Sequence, residues 1–136
     1  MKKYLLVLFM ISLAVSACAA ESGGASASLT GDWKLVSYGS ATAQTPAVEG
    51  AEARLTFNED GTVTGNSSCN GLGGGYTVEG NRVTFSEVVM TLMACDDSRM
   101  AQEDAVQQVL TDTATFKVDG NTLTLTNGDM TLVLTK

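Results

Sequence analysis

The sequence predicts a mainly β fold with one α-helix: about eight antiparallel strands in a strongly curved sheet or partly closed barrel, with the helix covering one opening. Three observations carry this prediction. From Asp32 onward, apolar and Thr-rich residues recur with period two, the spacing of a half-buried strand. Gly, Asn and Asp cluster between these runs at hairpin intervals. Only the window from about Ser98 to Leu110 changes to helical spacing.

Taken in order, Trp33, Leu35 and Val36 mark a first strand reaching Tyr38, and Ser40 to Gly50, with the sole proline Pro46, reads as a long loop. Leu55 and Phe57 alternate with polar neighbours, and the turn Glu59-Asp60-Gly61 leads into Thr62 to Gly65 as a hairpin. Gly71 to Gly75 carries the chain into Tyr76-Thr77-Val78, which turns at Glu79-Gly80-Asn81 into Val83-Thr84-Phe85. Val88 to Met93 is an apolar run expected to be a strand packed in the core. Asp96, Asp97 and Ser98 are N-cap candidates, Asp97 the favoured one, for a helix that aligns Ala105, Val106, Val109 and Leu110 on one face. A three-strand meander ends the chain: Thr115 to Val118, Leu123 to Leu125 and Met130 to Leu134, joined at Asp119-Gly120-Asn121 and Asn127-Gly128.

The N-terminal segment follows a different logic. Lys2 and Lys3 precede an apolar stretch from Tyr4 to Val15, too short to span a membrane comfortably, and Val15-Ser16-Ala17-Cys18 resembles a lipobox. Residues 1–17 are therefore expected to be a lipoprotein signal peptide, with Cys18 lipidated and inserted in a membrane. Residues 18–28 would form a flexible tether of small residues, and 29–136 the folded domain. Ala19 rather than Asp after the cysteine fits an outer membrane facing the periplasm.

Composition narrows the chemistry. Once Lys2 and Lys3 leave with the signal, six basic side chains face fifteen acidic ones, a net charge of −9, so nucleic acid is a poor partner. Histidine is absent, which removes the usual general base and the commonest metal ligand; neither a metal nor a cofactor is expected. With Cys18 lipidated in an oxidising compartment, Cys69 and Cys95 are expected to form a disulfide worth about 3 kcal/mol. A redox or metal-binding thiol pair would call for Cys-x-x-Cys spacing and nearby cations.

Ser67 to Gly75 could offer backbone NH groups to an anion, but it lacks a Gly-Lys-Ser/Thr ending and fits a Gly-rich turn tied by the disulfide. Asn58 to Gly61 has too few spaced oxygens for calcium and reads as a turn. Ser67 and Ser68 with Asp96 and Asp97 lack any base to activate a hydroxyl. Met90, Met93 and Met100 are expected to fill the core, with an adaptable binding surface as the alternative.

Several of these residues together resemble the META domain family, the HslJ-like heat-shock proteins. The matching positions begin with Gly31-x-Trp33-x-Leu35, Leu55-Thr56-Phe57, Asp60-Gly61 and Gly65, followed by Cys69-Asn70, Gly74 and Tyr76. They continue with Thr91-x-Met93-Ala94-Cys95, Met100, Glu103 and Leu110, so that the match spans about residues 29 to 136. Ser68 departs from the pattern, which commonly has glycine before Cys-Asn. The resemblance implies a compact antiparallel fold with one helix in secreted or membrane-anchored proteins linked to stress, antibiotic tolerance or secretion. It also implies likeness to lipid-binding pilot proteins, and brings no established catalytic activity. The expected function is thus a non-enzymatic envelope lipoprotein acting in stress tolerance or assembly through protein or lipid contacts, the lipid entering an apolar opening of the sheet. The alternative is an unrecognised hydrolase using carboxylates alone.

Overall fold

The computed structural model describes residues 28–50 and 52–136; the expected signal peptide, the lipidation site Cys18 and the tether up to residue 27 lie outside the described residues. In chain order the elements are β1 (Gly31–Ser40), β2 (Ala43–Pro46), β3 (Arg54–Phe57), β4 (Thr62–Asn66), β5 (Gly71–Glu79) and β6 (Arg82–Met90). They continue with α1 (Asp97–Leu110), β7 (Thr113–Asp119), β8 (Thr122–Asn127) and β9 (Met130–Thr135). Successive antiparallel pairings run from β1 through β3 to β9, and β9 returns to β1, Lys34 to Gly39 lying against Thr131 to Thr135. The sheet therefore closes into an eight-stranded barrel, β6 meeting β7 only over Arg82 to Thr84, and closure hides the Thr-rich edges of β8 and β9.

β2 lies outside this ring, where a long loop was expected. It pairs with the far end of β1, Ser37 opposite Pro46 and Ser40 opposite Ala43. The proline is tolerated because it ends an exposed edge strand and need not donate to a second neighbour.

The interior is filled by alternating side chains from every barrel strand. Trp33, Leu35, Leu55, Phe57, Val63, Val83, Phe85, Leu123, Leu125, Leu132 and Leu134 are all buried in one cluster. Phe57 meets Tyr76 edge-on at 5.1 Å between ring centroids. The Trp33 indole NH donates to Leu29 O at 2.7 Å, which ties the entering chain to the barrel. Helix α1 packs on β7, β8, β9 and β1 with Ala105, Val106, Val109 and Leu110 inward, as its periodicity predicts. Its N-cap is Asp96 rather than Asp97: the Asp96 carboxylate accepts from Arg99 N at 3.1 Å, and Asp97 is already in the first turn.

A further correction concerns Val88 to Met93. β6 ends at Met90, and Val89, Leu92 and Met93 are 69%, 92% and 60% exposed, not core. Leu92 and Met93 lie beyond the last paired residue of β6, and at Val89 the cause is a bulge. Val83 and Phe85 point inward on odd positions, but the pairing of β5 with β6 slips between Gly73 and Gly75, opposite Glu87 at φ 51°. One extra residue moves the inward positions to even numbers, so Val88 and Met90 turn toward the barrel and Val89 turns out.

Candidate functional site: a clamped apolar segment and the groove beside β6

Four polar residues are buried between the turn before β5 and α1: Ser67, Asn70, Gln102 and Glu103. Burying a carboxylate is costly unless donors surround it. Glu103, 3% exposed, accepts from Ser67 Oγ at 2.5 Å, from Asn70 N at 3.1 Å, and at both oxygens from Asn70 Nδ2 at 2.9 Å. Gln102 Nε2 donates to Ser67 O at 3.0 Å and to Ser68 Oγ at 2.8 Å, while its Oε1 accepts from Val48 N at 2.8 Å. Among the described residues no buried side-chain polar atom lacks a partner. Ser67 is fully buried with its hydroxyl committed to Glu103, so it is a strut of this network and has no path to a substrate.

The same network fixes the segment after β6. Asn70 Oδ1 accepts from Thr91 Oγ1 at 2.9 Å and from Met93 N at 2.7 Å, and Asn70 Nδ2 also donates to Met93 O at 3.0 Å. Thr91 N donates to Gly71 O at 3.0 Å, and Gly71 N to Thr91 Oγ1 at 3.2 Å. The Cys69–Cys95 disulfide closes the far end. Thr91 to Cys95 is thus held by backbone and side-chain hydrogen bonds and one covalent link, while Leu92, Met93 and Ala94 face outward.

The remaining sequence-predicted positions serve the frame. Trp33, Leu35 and Phe57 are core. Tyr76 donates its hydroxyl to Asn58 O at 2.7 Å. Gly74 lies where a Cβ would come within 2.9 Å of Ser86 O and Val88 Cα, so the bulge requires glycine there. Ser68 adopts φ 87°, a left-handed conformation that glycine takes freely; here a hydrogen bond from Ser68 N to Asn66 Oδ1 at 2.6 Å supports it. Met90 and Met100 are half-buried and Met93 is exposed, so core filling fails for Met93. Asn70 and Glu103 both belong to the family resemblance, but their separation of 33 residues leaves no local signal of their pairing.

Beside the clamped segment lies a groove of about 470 Å³ between the end of β6 and the C-terminal end of α1. Val88, Met90 and Leu92 line one side, and Leu110 and Asp112 the other. A shallower concavity exposes Gly71, Gly73, Val89 and Thr91 on the outer face. Among the described residues no three His, Cys, Asp or Glu side chains converge to hold a metal ion, and no helix is long and apolar enough to cross a membrane.

Comparison with known proteins places this architecture. An NMR structure of a protein from Burkholderia xenovorans is similar, with 23% identity, coverage of 77% of this chain and 80% of that one, and a TM-score of 0.64. A second NMR structure shares 19% identity over 77% of this chain and 87% of the other, with a TM-score of 0.63. The crystal structure of a DUF4847 family protein from Bacteroides vulgatus shares 16% identity over 78% and 92%, with a TM-score of 0.54. At these identities the likeness is one of fold. No curated protein matches the chain. The META domain model matches residues 27–136, the whole of the barrel and its helix, and the chain belongs to the META domain family.

Proposed function

We propose that this protein is a non-enzymatic lipoprotein of the cell envelope, anchored through Cys18 at the outer membrane, that acts in stress tolerance or envelope assembly by binding another protein. One observation carries the reading: Leu92 and Met93 are exposed on a segment that the Asn70–Glu103 network and a disulfide hold still. Exposed apolar side chains are normally scattered or mobile; fixing them costs conformational entropy that returns as affinity when a partner covers them. Trp33, Leu35, Phe57, Phe85, Val109 and Leu132 fill the barrel, which favours contacts on the surface over an acyl chain inside it.

Two measurements test the reading. Intact mass and detergent-phase partitioning should give a lipid-modified Cys18 that Cys18→Ser abolishes; a mature wild-type form with an unmodified N-terminus overturns the anchoring. A photo-crosslinker at Met93 should give a discrete protein adduct in intact envelopes that surplus unlabelled protein competes away, while one at exposed Lys117 gives none. No competable adduct at Met93 overturns the binding reading.

A further inference from the structure

β6 changes its neighbours partway along. Arg82 to Thr84 pair with β7, and Phe85 N donates to Asp112 O at 2.8 Å. From Ser86 to Met90 the strand keeps β5 on one side only, and among the described residues no strand lies on the other. This open stretch is one wall of the groove described above, and α1 ends on the opposite wall. An unpaired strand edge presents NH and C=O groups at the repeat of an extended chain, and strand addition is the usual way such an edge is filled.

The groove also states the chemistry of its occupant. Val88 and Met90 are half-buried and Leu92 is 92% exposed, so apolar side chains would be accepted between them. Glu87 and Asp112 stand on either side, and neither makes an ion pair among the described residues. The last turn of α1 carries no basic residue, although a cation is favoured at a helix C-terminus. Both acidic residues are held at positive φ, Glu87 at 51° and Asp112 at 71°, and the first of these is unusual for a Glu.

Resting on the protein-binding reading above, we propose that the edge of β6 from Ser86 to Met90 binds an extended segment of a partner protein, alternating apolar with Lys or Arg side chains, as an added strand. Charge decides among occupants. A second copy would set Glu87 and Asp112 against their own counterparts, an anionic lipid surface would meet the same carboxylates, and residues 19–28 contain Glu21 and no basic residue. Each brings like charges together, whereas a basic segment does not.

The test is selection of a displayed library of random peptides, about ten residues long and so longer than an average strand, on the intact purified protein. Selected peptides should alternate apolar and basic residues, and bound peptide should shift and protect the amides of Ser86 to Met90. N-methylation at alternate peptide amides, or the double substitution Glu87→Gln and Asp112→Asn, should each weaken binding by roughly tenfold or more. The double variant must keep the wild-type melting curve; if it does not, the N-methylated peptide alone decides. Acidic or featureless selected sequences, shifts confined to other strands, or undiminished binding of the N-methylated peptide overturn the proposal. So does a concentration-dependent dimer that crosslinks through Val88, which would make a second copy the occupant. A competable adduct at Met93 in envelopes without a peptide response at β6 would sink strand addition alone and leave the broader binding reading standing.

Discussion

Asn70 Nδ2 donates to both carboxylate oxygens of Glu103 at 2.9 Å, while Asn70 Oδ1 accepts from Thr91 and Met93, so one side chain joins the turn before β5, helix α1 and the segment after β6. Removing it would strand several buried groups at once. Asn70→Ala should lower unfolding stability by about 3 kcal/mol, read as a lower urea midpoint at unchanged slope. Glu103→Ala should cost a similar amount, and the double substitution should cost clearly less than the two added together, because the partners share one interaction. Additive losses would show that the two side chains act independently.

The Cys69–Cys95 bond closes the same region from outside. Replacing both cysteines by alanine should cost about 2 to 5 kcal/mol. It should also raise hydrogen exchange at Thr91 to Ala94 more than in β8 and β9, because the disulfide holds this segment directly. Uniform acceleration across the barrel would contradict that local role.

Neighbouring glycines on β5 should respond differently to a methyl group. At Gly74 a Cβ would meet Ser86 O and Val88 Cα at 2.9 Å, whereas at Gly73 the nearest atom is Val63 O at 3.8 Å. Gly74→Ala should destabilise by about 1 to 3 kcal/mol, and Gly73→Ala should stay within about 0.5 kcal/mol of wild type. Equal melting temperatures for the two variants would remove the steric account of the bulge.

The hydroxyl of Ser98 and then the NH of Arg99 hold the Asp96 carboxyl below its ordinary value. A depressed carboxyl contributes stability above its unfolded pKa and loses it as the pH falls through the folded one, so this cap should weaken only in acid, below about pH 4. Asp96→Asn keeps an N-cap acceptor but does not titrate. The Tm gap between wild type and Asp96→Asn should therefore be constant from neutral pH down to mild acid and narrow below it; a gap unchanged at pH 2 would rule out this linkage.

Much of the frame was legible because its signals are local. The alternation of Leu55 with Phe57 and of Leu123 with Leu125, the turns at Gly61 and Gly120, and the helical face of Ala105, Val106, Val109 and Leu110 each depend on residues within a few positions. Where two signals conflicted, the sequence misled. Val88 to Met93 is apolar enough for a core strand, yet the bulge at Glu87 turned Val89 outward and β6 ended at Met90, which left Leu92 and Met93 in solvent. Pro46 marked a loop, yet an edge position outside the barrel let it end a strand.

By itself, then, the sequence determined the strand and helix periods, the turns, the cysteine pair and the family to which they belong, because each rests on short-range pattern or residue type. The tertiary structure alone decided that β9 returns to β1 and closes the barrel, and that Asn70 meets Glu103. It alone left Ser86 to Met90 with an open edge beside the end of α1. These are contacts between residues far apart in the chain, fixed by register and closure, and a one-residue slip at a bulge is enough to reverse which side chains the barrel keeps and which it offers outward.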